Sequence, residues 1–190
     1  MVVQVYNSLY GPKRIGILYL RTDNHNKGNT VGSCPTKEER AYIAGFLDGD
    51  GSIMLQLKKR SDTQNGIRLM ATICFYQDSR HHKPLLWMKR MLGIGYISHR
   101  NDGITELRIN GFATVRRILI MLSPYLRFKK IQAITVSRAC MLLEKKTLKH
   151  LTVNEKRKIC GYALCVQNQN YKTHKKKTLA EFYQNIGLTP

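Results

Sequence analysis

Asp48 and Asp50 are separated by one glycine in the stretch Ala44-Gly-Phe-Leu-Asp-Gly-Asp-Gly-Ser-Ile53. They stand out because the chain holds only 12 acidic residues against 32 Lys and Arg. Positions two apart on a helix point about 200° away from each other, so this pair does not make one chelating site within a single chain. Asp50 falls in the last turn of its helix or just beyond it, where the helix dipole is negative. A carboxylate there is unfavourable by about 0.3–1 kcal/mol. Where two copies bring these helix ends together, two Asp50 carboxylates meet as like charges. Hard divalent cations with carboxylate and carbonyl ligands are the natural occupants of such a place. Next to a phosphodiester, ions of that kind activate a water and stabilise the leaving oxygen. The plainer reading of Asp-Gly-Asp-Gly is a helix stop followed by a turn.

The element that carries these aspartates announces its own start. Thr36-Lys-Glu-Glu39 has the form of a capping box, with Thr36 as N-cap and Glu39 three residues on. The helix it opens runs through Tyr42, Ile43, Phe46 and Leu47 and ends at the glycines. Ala41, Gly45 and Gly49 recur every four residues and so form one stripe. A glycine inside a helix is worse than alanine by about 1 kcal/mol. A tight helix-helix contact across the stripe offsets that loss. The simplest partner is the same helix of a second copy across a two-fold axis. The competing partner is another helix of the same chain.

Two alternating runs follow. Ile53, Leu55 and Leu57 share one face, with Met54, Gln56, Lys58 and Arg60 on the other. Ile67, Leu69, Ala71, Ile73 and Phe75 alternate with Arg68, Met70, Thr72, Cys74 and Tyr76. Period two over this length means half-buried strands, and Asn65-Gly66 between them signals a hairpin turn. Residues 84 to 92 read as a short amphipathic helix stopped by Gly93. Residues 95–100 and 104–110 make a second hairpin, 111–122 a helix ended before Pro124, and 130–145 another. Thr152-Val-Asn-Glu155 caps one more helix, and Thr178-Leu-Ala-Glu181 a short terminal one. The order α-ββ-α-ββ-α-α-α predicts an α+β domain over residues 36–190. Its four-stranded antiparallel sheet carries helices on one face. Residues 1–35 are rich in Gly and Asn and read as an N-terminal extension.

Composition narrows the partner. The 190 residues carry a net charge of +20 and a pI near 10.0, with basic residues spread along the whole chain. That balance points to a polyanion, nucleic acid first. No apolar run approaches the roughly 18 residues of a membrane span, so no membrane partner is expected. Five cysteines form no C-x-x-C pair and suggest reduced thiols rather than zinc ligands. The polar sheet face would carry Gln56, Lys58, Arg60, Arg68, Thr72, Ser98, Arg100, Glu106 and Arg108. A two-stranded ribbon with such side chains fits the major groove of B-DNA. Glu106 fits this reading because cytosine offers a donor. An ordinary solvated face is the bland alternative.

The stretch Tyr42-Ile-Ala-Gly-Phe-Leu-Asp-Gly-Asp-Gly-Ser52 resembles the signature of the LAGLIDADG homing endonucleases. With Gly93-Ile-Gly-Tyr96 and Pro124-Tyr-Leu-Arg-Phe-Lys-Lys-Ile-Gln-Ala133, the chain is similar to the single-motif members encoded in organellar introns of green algae. The likeness covers about residues 36 to 185. It implies an αββαββα fold with additional C-terminal helices. It also implies a homodimer seamed by Ala41, Gly45, Asp48 and Gly49, and a long near-palindromic double-stranded DNA site in the major groove. Cleavage would need Mg²⁺ and leave 3′ overhangs. Mn²⁺ would substitute, and Ca²⁺ would bind without supporting cleavage.

By the same resemblance, Asp50 is the metal-binding catalytic aspartate and the carbonyl of Gly49 faces the metal. Gln77 would position solvent and Lys129 would stand near the scissile phosphate. Lys172 and Lys175 would contact phosphates from a C-terminal loop, and Asp48 would be structural at the helix end. Two departures are visible: His81 stands where relatives carry Arg or Lys, and Cys74 where a longer polar reader is usual. The expected function is intron homing by double-strand DNA cleavage in an organelle, the chloroplast before the mitochondrion. The alternatives are an RNA maturase on the same scaffold and a basic RNA-packing protein.

Overall fold

A computed structural model describes residues 35–59, 67–170 and 176–189. Arg60, Lys172, Lys175 and nearly all of the expected 1–35 extension lie outside them. The capping box forms as its spacing demands. Thr36 Oγ1 accepts the Glu39 N–H at 3.2 Å, and Glu39 Oε2 accepts the Thr36 N–H at 2.7 Å. Helix α1 then runs Lys37–Asp50 and buries Ile43, Ala44 and Leu47. Full burial of Ile43 and Leu47 contributes about 1.5–3 kcal/mol each.

The helix passes into strand β1 (Gly51–Lys59) with no intervening loop. A Cβ at position 51 would sit 2.6 Å from Leu47 Cδ1 and 2.8 Å from the Leu47 carbonyl oxygen. Glycine is required there by close approach.

Strand β2 (Ile67–Asp78) leads through a 3₁₀ turn (Ser79–His81) into α2 (Lys83–Leu92). Gly93 ends α2 in the left-handed region at φ 66°, where a side chain would be strained. Then come β3 (Tyr96–His99), β4 (Ile104–Asn110), α3 (Phe112–Leu122) and α4 (Lys130–Leu143). After a second 3₁₀ turn (Leu148–His150) come α5 (Val153–Gln169) and α6 (Leu179–Asn185). Thr152 with Glu155 and Thr178 with Glu181 complete two more capping boxes. Neither 3₁₀ turn was foreseen, because three residues carry no periodic signal.

All pairings are antiparallel and the sheet order is β1-β2-β4-β3. Leu55, Ile73, Phe75, Leu107 and Ile109 lie on one face, buried under the helices. The opposite face carries Gln56, Lys58, Arg68, Ser98 and Arg108, as the alternation predicted. Cys74, Cys140 and Cys160 are buried and Cys165 is half-buried, all as free thiols. Burial pushes the Cys140 thiol up to about 12 and Cys160 to about 11. Among the described residues no helix is long and apolar enough to cross a membrane.

Candidate active site

The two aspartates have different environments. Asp48 turns inward, and its carboxylate accepts three consecutive main-chain N–H groups. Arg127 donates to Oδ2 at 2.6 Å, Phe128 to Oδ2 at 3.2 Å, and Lys129 to Oδ1 at 2.9 Å. Both oxygens are thereby committed. Asp50, two residues on, is exposed. It lines an open cleft with Gly49, Ser52, Tyr76, Arg100, Phe128 and Lys129. Lys129 Nζ donates to the main-chain carbonyl of Asp48, which sets a cation on the negative end of α1.

The cleft wall includes residues that sequence reasoning missed. Ser52 Oγ and Tyr76 Oη share a hydrogen bond at 2.9 Å, and burial raises the Tyr76 phenol pKa. The alternation of β2 places Tyr76 on the open face, and Ser52, paired in register with Cys74, shares it. Gln132, buried in α4, donates to Asn170 Oδ1 at 2.9 Å across the foot of the cleft. This contact spans 38 residues and has no local signal.

The chemistry of the donor set tests the site for a divalent ion. Among the described residues, no three His, Cys, Asp or Glu side chains gather to hold a metal. One chain offers the Asp50 carboxylate and the neighbouring main-chain oxygens. That hard-oxygen set suits Mg²⁺, which keeps several positions for water and phosphate. Asp48 is removed as a ligand by its three N–H bonds.

Gln77 is not among the residues lining the cleft. It pairs in register with Thr105, on the helix-facing side, and its Oε1 accepts the Asp78 N–H at 2.9 Å. His81 is exposed at the end of the 3₁₀ turn. Beside it Arg80 pairs with Asp78 at 2.7 Å and holds that carboxyl below the usual carboxylate range.

Three residues expected at the DNA-facing surface are buried in the free chain. Thr72, Cys74 and Glu106 lie on the open face, yet they are 2%, 0% and 4% exposed. Thr72 donates to Asn110 Oδ1 at 2.8 Å. Glu106 sits between two guanidiniums, 2.6 Å from Arg108 Nη2 and 3.2 Å from Arg100 Nη1. Its pairing raises the pKa of both arginines. Glu106 is thus an anchor for two donors, because an unpaired buried carboxylate would be costly. Arg100 lies just past β3 and also reaches Asp102 at 2.6 Å. Gln56, Lys58, Arg68, Ser98, Arg100 and Arg108 remain accessible to a ligand on this face.

Ala41, Gly45 and Gly49 are exposed, and a Cβ on either glycine would meet nothing within 4 Å among the described residues. The Phe128 side chain, 84% exposed, stands at the cleft rim beside this stripe.

The open basic sheet face ends at a solvent-facing carboxylate. The family described as LAGLIDADG endonuclease matches residues 43–140, just over half of the 190-residue chain. The chain belongs to that family. It is 34% identical over 93 residues to DNA endonuclease I-CvuI of Chlorella vulgaris, across 49% of this chain and 58% of that one. It is 30% identical over 97 residues to DNA endonuclease I-CreI of Chlamydomonas reinhardtii, across 51% of this chain and 59% of that one. The matched stretches span less than two thirds of either relative. The crystal structure of the homing endonuclease I-CvuI in complex with its target, in the presence of calcium, superposes with a TM-score of 0.65 at 25% identity. That likeness covers 80% of this chain and 97% of the other.

Proposed function

We propose that this chain is a site-specific double-strand DNA endonuclease that works as a homodimer and promotes homing of its intron. The observation that carries the reading is the division of labour at the end of α1. Asp48 is tied to main-chain N–H groups, which leaves Asp50 exposed where the basic face meets the Lys129 cation. A maturase has no use for that exposed carboxylate.

Gln56, Lys58, Arg68 and Ser98 would meet base edges and phosphates in the major groove. Arg100 and Arg108, steadied by Glu106, would present their remaining donors to base acceptors such as guanine O6 and N7. Asp50 and the Gly49 carbonyl would hold Mg²⁺, which supplies a more acidic water and charge stabilisation at the phosphodiester. Lys129 would balance charge on the phosphate. One copy supplies one Asp50, so cutting both strands calls for two copies seamed along Ala41, Gly45 and Gly49. The 3′ overhangs rest on the family resemblance, which also favours the chloroplast over the mitochondrion. The green-algal origin of the two relatives supports an organellar intron without choosing between the two organelles.

The test is cleavage of the intron-insertion sequence with Mg²⁺, Mn²⁺ and Ca²⁺, with the ends mapped. Mg²⁺ and Mn²⁺ should support cleavage and Ca²⁺ binding alone. Asp50→Asn should lose cleavage by at least about 10³-fold while retaining DNA affinity. Cleavage at the normal rate by Asp50→Asn sinks the assignment.

A further inference from the structure

The second aspartate of the motif has a distinct task. Helix α4 starts at Lys130 with Lys129 as its N-cap and no side-chain cap of its own. At its other partner, α1 ends with no basic residue in its last turn. Each helix end therefore lacks a local group for its orphan main-chain atoms. The structure supplies both across the chain. The Asp48 carboxylate collects the N–H groups of residues 127–129, and the Lys129 ammonium takes the Asp48 carbonyl. Carboxylate meets the positive end of α4 and ammonium meets the negative end of α1, so both contacts follow the dipoles. Only the Lys129 N–H belongs to the N-cap of α4 and those of 127 and 128 lie in the loop before it, so Asp48 ties down the entry to α4 while Lys129 caps the end of α1.

We propose that Asp48 is a positioning residue: its carboxylate fixes the 127–129 main chain so that the Lys129 ammonium stays on the end of α1 beside Asp50. This rests on the endonuclease reading of the cleft and adds a residue that acts through Lys129. The chemistry singles out a carboxylate. Asparagine keeps one acceptor oxygen but presents an NH₂ group to a main-chain N–H, which breaks at least one of the three bonds and adds a donor–donor clash. The arrangement also sets a cation on the helix end that carries the Asp50 carboxylate, which offsets the unfavourable dipole there.

The experiment compares Asp48→Asn, Lys129→Gln and the double variant. Hydrogen exchange on the DNA-free protein should show the 127–129 amides about 10-fold less protected in Asp48→Asn, with the α1 and sheet amides unchanged. Mn²⁺ binding, read by paramagnetic broadening at residues 49–51, should change in the same direction in both single variants. In single-turnover cleavage, Asp48→Asn should be slower by about 10- to 100-fold with DNA affinity within about threefold. The double variant should be no slower than the worse single, because both act on one contact.

Unchanged exchange at 127–129, or rate losses that multiply in the double variant, would overturn the proposal. A wild-type chain that cleaves no DNA would instead overturn the endonuclease reading. Exchange and Mn²⁺ binding would then decide the role of Asp48 alone. If Asp48→Asn folds poorly, Lys129→Gln carries the test from the other half of the pair, and unaltered Mn²⁺ binding in it counts against the proposal.

Discussion

Glu106 shows how much one side chain decides on a charged face. Alternation placed it among the open-face residues, and its neighbours then made it an anchor. Arg108 is two residues away on the same strand, but Arg100 comes from beyond the adjacent strand, two past the Ser98 that pairs with Glu106. Only the β3–β4 register brings that second guanidinium in. Glu106→Gln keeps the shape and removes the charge that holds both arginines. The expected outcome is a loss of about 1–3 kcal/mol in stability, read by thermal melts. Binding to site variants should show flatter discrimination at the base pairs read by Arg100 and Arg108, with non-specific affinity equal or higher. Undiminished discrimination would return Glu106 to the role of bystander. The same paired scrutiny explains Asp48 and Asp50, whose separation by two positions foretold different directions but not different partners.

At the scale of an element, α1 is the organising piece. Its start, its buried face and its end among the glycines were legible, because capping and period act locally, whereas the close approach that demands glycine at 51 came only from the fold. Its two kinds of glycine give opposite expectations. Gly51→Ala drives a Cβ into the Leu47 main chain and should destabilise the fold by about 1–3 kcal/mol. Gly45→Ala meets open space, so helix propensity alone should stabilise the single subunit by up to about 1 kcal/mol. If the stripe is the seam between copies, that same substitution weakens self-association. Thermal melts and sedimentation equilibrium read the two effects separately. A Gly45→Ala protein that self-associates as tightly as the parent would move the seam elsewhere.

For the molecule as a whole, the net charge of +20 sets the character of binding. Affinity for DNA should fall linearly in log–log form as salt rises, with a slope of about −0.9 for each phosphate neutralised. Lys58→Ala or Arg68→Ala should lower that slope by about one where the side chain meets a phosphate, and leave it unchanged where it reads a base. Anisotropy titrations between about 50 and 200 mM salt distinguish the two. A slope near zero would remove DNA backbone from the account altogether.

The sequence alone determined the element order, the buried and open faces of the strands, three capping boxes and the helix that ends in Asp50. These follow from periodicity and nearest-neighbour chemistry, which the chain carries in its own spacing. Tertiary structure decided the sheet order β1-β2-β4-β3, the burial of Thr72, Cys74 and Glu106, and the turning of Gln77 onto its own strand. It also decided the two-way hydrogen bonding of Asp48 and Lys129. Those outcomes depend on groups dozens of residues apart, and no local pattern records which distant donor a buried acceptor will find.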